Sequence, residues 1–375
     1  MNDWLQARNI LVIRPDNIGD VIMLGPALRA IKETVPEGRI TLLASPGGAS
    51  AAPLLPWLDE VIPWRTLWQD LGHLAFDPAR ERQLIDTLAA RRFDAALCFT
   101  SFSQSPQPPG YVCYLAGIPL RAGESKEFGG RVLTTELRGA TADEEHQVER
   151  NLRLVESLGF VARDRRLAVS IADEARLAVP GIVRGVGLDP ERPFILLHPG
   201  ASAEARRYPP ARSGELARAL VERGWPVLLT GVERETAIVE AVLAGAPGAC
   251  ALVGGTTLSE YAALVERAAL TICGNTLPLH LADAVGTPVL ALYSGTDCES
   301  QWRPRVTPSR LLRRPTPCYP CYRFDCPIGQ PCLDIPSREA ADAAEALLRE
   351  GRGIDGGRSP ISGESSTPVA GRGRR

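Results

Sequence analysis

The sequence predicts an α/β protein built from two doubly wound, mostly parallel sheets that face each other across a cleft. Short apolar runs alternate with segments of helical periodicity, and this alternation occurs twice along 375 residues. A stretch rich in Arg, Asp and Pro separates the two series. We therefore expect two sheet-containing domains with a connection and a C-terminal extension, divided as 1–160, 161–190 (connection), 191–335, 336–350 (helix) and 351–375 (disordered tail).

The first series begins with an apolar strand at 10–14, which runs into a polar turn and an amphipathic helix at 19–35. Residues 137–160, at its end, are charged and have helical periodicity. Between them we expect strands at 40–44, 60–63, 93–99 and 119–122 and helices at 48–57, 78–91 and 110–117.

The second series begins with the apolar strand 194–198 and closes with a helix at 337–349. Between them we expect strands at 226–230, 250–253, 269–273 and 288–293 and helices at 212–223, 234–244, 258–267 and 277–285. Two facing domains of this kind form a deep cleft, where small ligands usually bind. The architecture alone does not name the chemistry.

Composition fits an ordinary globular protein, with 45% hydrophobic and 23% charged residues. The net charge of −2 gives no support for nucleic-acid binding, which needs a concentrated basic face. No apolar run approaches the ~20 residues of a membrane span, and the N-terminus lacks the pattern of a signal peptide. We expect a cytoplasmic protein, and contact with the cytoplasmic face of the inner membrane is compatible with these observations.

The turn after the first strand, Arg14-Pro-Asp-Asn-Ile-Gly-Asp20, places a carboxylate at the start of a helix. In an open α/β sheet the carboxyl ends of the strands face the ligand crevice. Asp20 is therefore a candidate helix cap or a candidate catalytic base, and the residues alone leave both interpretations open.

The segment 270–280 predicts a strand, a turn of small residues and a helix whose free N–H groups face the same crevice. Asn275 and Thr276 are good N-caps, and a helix N-terminus is a ready site for phosphate oxygens. A plain capped helix start is the alternative. His280 lies one turn into the helix, where it either donates to a phosphate or packs.

The loop 198–209 follows the first strand of the same domain, so it opens at the same edge. It carries Ser202 and Arg206, and arginine pairs well with diphosphate oxygens, although a solvated basic loop is an equal interpretation. Gly254 and Thr257 begin a further helix and could contact the base or ribose of a nucleotide; a simple helix start is the alternative. No Gly-x-Gly-x-x-Gly run follows the first strand and the sequence has no Gly-x-x-x-x-Gly-Lys-Ser/Thr, so a dinucleotide dehydrogenase and a P-loop enzyme are both disfavoured.

A cluster of thiols lies near the C-terminal end of the second series, at Cys318, Cys321, Cys326 and Cys332. Four thiols provide enough ligands for a tetrahedral zinc site, but their spacing departs from ribbon-type zinc modules. Zinc or another metal, reduced structural thiols and disulfides are the alternatives, and a cytoplasmic location disfavours disulfides. In each case we expect a structural role.

These segments, taken in order, resemble the bacterial heptosyltransferases of glycosyltransferase family 9. The resemblance covers about residues 9–335. Its matching segments are Ile13-Arg-Pro-Asp-Asn-Ile-Gly-Asp-Val21, His198-Pro-Gly-Ala-Ser202 with Arg206-Arg-Tyr-Pro209, Gly254-Gly-Thr-Thr-Leu-Ser-Glu260, Asn275-Thr-Leu-Pro-Leu-His-Leu-Ala282 and Gly286-Thr-Pro-Val-Leu-Ala-Leu-Tyr293. The cysteine segment also resembles one found in many members.

The resemblance implies a GT-B fold, with the nucleotide-sugar donor bound mainly by the C-terminal domain. It implies inverting, metal-independent transfer of a sugar, usually heptose from an ADP-activated donor, to a lipopolysaccharide-core or other lipid-linked glycan acceptor. Asp20 matches the catalytic aspartate of the family, and Arg206 lies where members often carry a basic residue near the donor phosphates.

Thr276 and His280 match the Asp-Thr-Gly-x-x-His phosphate motif of the family. In this chain Asn275 replaces the usual Asp and Leu277 the usual Gly. The departure keeps two other hypotheses open, a non-catalytic GT-B protein that binds nucleotide sugar and a nucleotide-sugar epimerase-like enzyme.

Overall fold

The computed structural model of the protein describes residues 3–138 and 144–354, with side chains up to residue 350. In this part of the chain the strands form two six-stranded sheets, and all pairs of neighbouring strands are parallel. The strands of the first sheet are β1 (Asn9–Arg14), β2 (Arg39–Ala44), β3 (Glu60–Pro63), β4 (Ala95–Cys98), β5 (Leu120–Ser125) and β6 (Thr135–Arg138). Their spatial order is β3-β2-β1-β4-β5-β6.

The second sheet repeats this arrangement in the second half of the chain. Its strands are β7 (Ile195–His198), β8 (Val227–Gly231), β9 (Cys250–Val253), β10 (Leu270–Cys273), β11 (Val289–Leu292) and β12 (Ser309–Leu312). Their spatial order is β12-β11-β10-β7-β8-β9. The strand order therefore reverses beside β1 in the first sheet and beside β7 in the second, and open α/β sheets bind ligands at such switch points.

Helices connect the strands in both halves. The helices of the first half and the connection are α1 (Ile18–Ile22), α2 (Gly25–Thr34), α3 (Pro46–Ala49), α4 (Pro78–Ala90), α5 (Gln107–Leu115), α6 (Gln147–Ser157) and α7 (Asp173–Gly185). Those of the second half are α8 (Pro210–Glu222), α9 (Thr236–Ala244), α10 (Leu258–Arg267), α11 (Leu277–Val285), α12 (Glu299–Trp302) and α13 (Ser337–Ile354).

The predicted fold class is confirmed, but several element predictions are wrong. The helix predicted at 19–35 is two helices, because Pro26 lacks the N–H that a continuous helix would need and instead occupies the first turn of α2. The helix predicted within 137–160 begins only at Gln147, and β6 ends at Arg138. Both β6 and β12 were missed, since these four-residue edge strands carry few buried apolar residues.

The connection predicted at 161–190 contains helix α7, which packs against α10 of the second half. The C-terminal helix extends to Ile354, so residues 351–354 are helical where we expected the tail to begin. The rest of that predicted tail, 355–375, lies outside the described residues.

The two halves contact each other through helices that follow the carboxyl ends of the central strands. Helix α1 follows β1 and packs against α11, which follows β10. In a second contact, Nε2 of His146 lies 3.0 Å from the Arg303 carbonyl oxygen. In a third, Arg305 forms an ion pair with Glu149. The carboxyl edges of the two sheets therefore face one another.

Candidate functional site

Asp20 lies in the first turn of α1, at the edge where the two halves meet. Its side chain is 16% exposed, and its Oδ1 lies 3.0 Å from Nη2 of Arg14. The residue before this helix, Asn17, makes no side-chain capping bond, and within the described residues the Asp20 carboxylate accepts no backbone N–H. The geometry therefore does not support the interpretation of Asp20 as a helix cap.

Arg14 is fully buried at the end of β1 and joins Asp20 to a second carboxylate. Its Nε lies 2.8 Å from Oδ2 of Asp16, and its Nη2 also donates to Oγ of Ser101 at 2.8 Å. Asp16 in turn accepts from Nε2 of Gln104 at 2.7 Å. Burial raises the pKa of Asp16, although Arg14 acts in the opposite direction. The ion cluster fixes one oxygen of Asp20 and leaves Oδ2 without a partner among the described residues.

Sequence reasoning missed this role of Arg14. The signal was present, because a charged residue ends an otherwise apolar strand and precedes two aspartates by two and six positions. A buried arginine needs carboxylate partners, and both were close in the chain.

Thr276 is the N-cap residue of α11, yet its side chain makes no capping bond. Its Oγ1 is buried and has no hydrogen-bond partner in the described part of the chain. Helix α11 therefore begins with an unpaired hydroxyl and without a side-chain cap, and a helix N-terminus of this kind suits an anion. Leu277, the first residue of the helix, packs against the larger apolar core.

Arg206 reaches the same turn from the loop after β7. The carbonyl oxygen of Arg206 lies so close to Gly274 that a Cβ at that position would be 3.0 Å away, which explains the glycine. The Arg206 Nη2 lies 2.9 Å from the Asp297 carboxylate, and its Nε donates to Oγ1 of Thr296 at 3.2 Å. The Asn275 side-chain amide donates to Oδ2 of the same carboxylate at 3.2 Å. The structure thus brings together the two predicted loops and adds Asp297 and Thr296.

His280 is buried between the two halves. A Cβ added to Gly19 would lie 2.9 Å from Cδ2 of His280, so only glycine permits this approach between α1 and α11. Burial, reinforced by the nearby Arg206 charge and opposed by Asp283, lowers the pKa of His280 to about 4. The ring is therefore neutral at neutral pH, and its packing against Gly19 places the Asp20 helix directly on the Thr276 helix.

A second histidine, His198, is mostly buried at the end of β7; it belongs to a predicted loop motif, but sequence reasoning did not recognise it as part of a cluster. Its Nδ1 lies 3.2 Å from Oγ1 of Thr230, and its Nε2 lies 3.6 Å from a carboxylate oxygen of Glu235. Burial lowers the pKa of His198, and Glu235 opposes this shift. The Glu235 carboxylate also accepts the Val232 N–H at 3.0 Å. This cluster connects the loops after β7 and β8.

Comparison with known proteins identifies the family. The family model of glycosyltransferase family 9 (heptosyltransferase) matches residues 81–330. The chain belongs to this family. It is 27% identical over 359 residues to lipopolysaccharide heptosyltransferase 2 of Escherichia coli K12, covering 90% of this chain and 98% of the relative.

Solved structures of family members have the same fold. The glycosyl transferase family 9 structure from Veillonella parvula superposes with a TM-score of 0.77 at 20% identity, covering 92% of this chain and 98% of the other. The structure of the Escherichia coli ADP-heptose LPS heptosyltransferase II superposes with a TM-score of 0.72 at 23% identity, covering 92% of this chain and 99% of the other. The protein is a glycosyltransferase with the GT-B architecture that the resemblance implied, and membership of a transferase family does not favour the epimerase-like and non-catalytic alternatives.

The remaining predicted contacts of this glycosyltransferase occupy the rim of the second sheet. Ser202 is exposed in the loop after β7. Gly254 adopts a φ of +62°, which favours glycine, at the end of β9. The Thr257 hydroxyl caps α10 by accepting the Glu260 N–H at 3.2 Å, so this side chain already has a structural role. Contact of Gly254 or Thr257 with a nucleotide base stays a prediction.

The cysteine cluster does not form a ligand set in this structure. Cys318 is exposed and Cys332 is buried, and all four thiols of the cluster are free. Within residues 3–138 and 144–350, no group of three or more His, Cys, Asp or Glu side chains is placed to hold a metal ion. The structure does not bring the four thiols together, so the zinc hypothesis gains no geometric support.

Among the described residues, no helix combines the length and the apolar composition that a membrane-spanning segment needs.

Proposed function

We propose that this glycosyltransferase transfers heptose, with inversion, from an ADP-activated donor to a lipopolysaccharide-core or related glycan acceptor. The observation that carries the proposal is the contact between α1 and α11. In this contact Gly19, the residue before Asp20, packs against His280, one turn after the helix N-terminus that carries the unpaired Thr276 hydroxyl. A candidate base and a candidate diphosphate site therefore lie on opposite sides of one cleft.

The diphosphate of the donor would bind at the turn before α11. The Thr276 hydroxyl and backbone N–H groups at the start of this helix would donate to its oxygens, and Arg206 would add a charge. Since the Arg206 side chain is 26% exposed, it can contact a ligand while it stays paired with Asp297. These groups would also stabilise the charge that develops on the leaving diphosphate, so this mechanism needs no metal ion.

The proposed direction of the nucleoside follows the order of the strands. In the second sheet β10 and β7 are neighbours, followed outward by β8 and β9. With the diphosphate at the loops after β10 and β7, we propose that the nucleoside extends toward the loops after β8 and β9. Gly254 and Thr257 lie at the second of these loops, which supports the hypothesis of a base contact there.

Asp20 would act as the general base on the acceptor hydroxyl. A hydroxyl is a poor nucleophile, and a positioned carboxylate can accept its proton as attack proceeds. Arg14 holds Oδ1, and Oδ2 has no partner among the described residues, so Oδ2 is the oxygen that would receive the proton. In the inverting reaction that we propose, this hydroxyl would attack the anomeric carbon on the face opposite the leaving diphosphate.

The heptose donor and the lipopolysaccharide acceptor are supported by the relatives. The relative from Escherichia coli K12 is a lipopolysaccharide heptosyltransferase, and the solved structure from this species is an ADP-heptose LPS heptosyltransferase. We place the reaction at the cytoplasmic face of the inner membrane, where a lipid-linked acceptor would approach the first sheet. Phe76 and Phe128, 97% and 92% exposed on loops after β3 and β5, are suited to peripheral contact there.

The variant Asp20→Asn tests this function. We expect transfer from ADP-heptose to a lipopolysaccharide-core acceptor to fall about 10²–10⁴-fold, because the general base is lost. The affinity for ADP, measured by calorimetry, should stay unchanged, since Asp20 does not belong to the diphosphate site. Turnover close to that of the unchanged protein would remove Asp20 from the mechanism.

The identity of the donor requires a separate measurement. Thermal shifts with ADP, GDP and UDP should be largest for ADP, since a ligand at ~100 times its dissociation constant adds ~2.7 kcal/mol of stability. Release of free nucleotide from the donor in the absence of acceptor, without transfer in its presence, would instead favour a hydrolase or an epimerase-like enzyme.

A further inference from the structure

The cysteine-rich segment, which we define as residues 318–332, contacts both loops that form the candidate diphosphate site. One loop is 204–206, which carries Arg206, and the other is 294–299, which carries its partners Thr296 and Asp297. We infer that the cysteine-rich segment is a positioning element that holds Arg206 in place for the donor diphosphate. This inference rests on the proposed function, because it assumes that Arg206 binds the donor.

The first set of contacts fixes the Arg206 loop. The N–H of Ala205, the residue before Arg206, donates to the carbonyl oxygen of Phe324 at 2.9 Å. One residue earlier, the carbonyl oxygen of Glu204 accepts from Nε2 of Gln330 at 2.6 Å. The short helical turn Glu204–Arg206 is thereby bonded to the cysteine-rich segment immediately before the functional side chain.

The second set of contacts fixes the loop of the partners of Arg206. The N–H groups of Cys321 and Tyr322 donate to the carbonyl oxygens of Gly295 and Thr296 at 3.0 and 2.8 Å. The Tyr319 hydroxyl accepts the N–H of Glu299 at 2.9 Å. The backbone on each side of Asp297 is therefore tied to the same segment.

Cys332 adds a packing contact to these hydrogen bonds. A Cβ built on Gly295 would lie 3.3 Å from Cβ of Cys332, so the loop backbone rests on this buried side chain. The thiol acts here as a small apolar group. This contact gives the segment a function that requires no metal ligand set.

The segment can couple the two loops because each alone has little regular structure. The Arg206 loop contains a single short helical turn, and residues 293–298 contain none. Fixing an arginine before the ligand arrives removes part of the ordering cost of binding. Loss of one hydrogen bond between the cysteine-rich segment and these loops should therefore weaken diphosphate binding while the fold is retained.

Gln330→Asn is the variant that isolates this effect. Gln330 has a φ of +57°, which Asn tolerates, while the shorter side chain no longer reaches the Glu204 carbonyl oxygen. We expect ADP affinity, measured by calorimetry, to fall roughly two- to tenfold, as for loss of one hydrogen bond. The KM for the acceptor should not change. Tyr319→Phe, which removes the hydroxyl that accepts the Glu299 N–H, should have a similar effect.

A double-mutant cycle distinguishes positioning from a general loss of structure. If Gln330 acts through Arg206, Gln330→Asn weakens ADP binding in the unchanged protein but has no effect in the Arg206→Ala background. Ile328→Ser, in the same segment but 64% exposed, is the matched control and should leave ADP affinity unchanged.

Two results would overturn the inference in different ways. Equal weakening by Gln330→Asn in both backgrounds, or no weakening while Arg206→Ala does reduce ADP affinity, would overturn the positioning role alone. Unchanged ADP affinity in Arg206→Ala itself would overturn the proposed donor site, and the positioning role with it.

Discussion

The carboxyl edges of the two sheets differ in how far their polar groups are already paired within the protein. At the edge of the first sheet, a fully buried Arg14 forms ion pairs with Asp16 and with one oxygen of Asp20, and so holds Asp20 in one orientation. At the edge of the second sheet, Thr276 keeps a buried hydroxyl without a partner among the described residues, and α11 begins without a side-chain cap. The first edge is internally paired, whereas the second keeps binding capacity for a ligand.

This difference follows from what each edge would bind. A general base must be correctly oriented before the substrate arrives, and a buried ion cluster achieves this at the cost of desolvating several charges. A diphosphate brings its own charge and many acceptor oxygens, so helix N–H groups and a hydroxyl are sufficient partners. The first edge should therefore be sensitive to loss of charge, and the second to loss of single hydrogen bonds.

The largest effect is expected for Arg14→Ala, which removes the ion pairs of the first edge. Removing the arginine leaves Asp16 and Asp20 as unpaired carboxylates, and breaking such a pair costs about 3–5 kcal/mol. We expect this loss in the free energy of unfolding, measured by urea denaturation. Arg14→Lys, which keeps the charge but not the fork of donors, should fold and yet lower kcat because Asp20 is less well oriented.

Arg29 provides a matched control for the lysine variant. It is mostly buried on α2 and pairs with Asp164, away from the cleft. Arg29→Lys should reduce stability without changing kcat. If both lysine variants reduce stability and neither changes kcat, the Arg14 cluster supports the fold and does not orient the base.

A pH titration should show an effect of intermediate size and of opposite sign at the two edges. Burial lowers the pKa of His280 to about 4, below the ordinary value near 6.5, so its contribution to stability is lost as the pH falls from 6.5 through 4. This contribution is at most about 3 kcal/mol. The raised pKa of Asp16 has the reverse effect, because the folded state then binds a proton more tightly and is favoured as the pH falls.

Urea denaturation between pH 7 and pH 4 separates these contributions. His280→Gln should lose less stability on acidification than the unchanged protein, and Asp16→Asn should lose more. His146, whose pKa burial also lowers to about 4, continues to contribute in both variants, so a residual fall is expected. Identical profiles for all three proteins would contradict the assignment of the pH response to these edges.

The sequence predicted the second edge more completely than the first. Loops 198–209 and 270–280 were expected at one crevice, and the sheet places β7 beside β10 as required. Local signals such as Gly274 and Thr276 were sufficient, because a strand, a turn and a helix N-terminus are encoded by adjacent residues. Thr296 and Asp297 were missed, since their contact with Arg206 crosses about 90 residues of chain.

At the first edge, the motif gave Asp20 but not the ion cluster that holds it. Ser101 and Gln104 reach Arg14 and Asp16 only because β4 pairs with β1. This long-range pairing cannot be predicted from local sequence periodicity. The contact of Gly19 with His280 depends on the packing of the two halves and was also beyond sequence reasoning. Elements with strong periodicity were predicted well, whereas β6 and β12, which depend on edge pairing, were not.

The smallest effect is expected at the second edge, where two threonines differ in whether the hydroxyl already has a partner. The hydroxyl of Thr276 has no partner among the described residues, whereas that of Thr257 caps α10. Thr276→Val should leave the free energy of unfolding nearly unchanged but weaken ADP binding roughly two- to tenfold, because only the ligand uses this hydroxyl. Thr257→Val should lower stability by about 1 kcal/mol through the lost cap.

Calorimetry with ADP and urea denaturation of both valine variants complete this test. If Thr257→Val changes stability alone, its hydroxyl is only a cap, and the predicted base contact at this residue is wrong. If it also weakens ADP binding, the nucleoside reaches the loop after β9, as strand order suggests. Unchanged ADP affinity in Thr276→Val would mean that the unpaired hydroxyl is not a diphosphate ligand, and the contrast between a paired first edge and an open second edge would then lose its functional meaning.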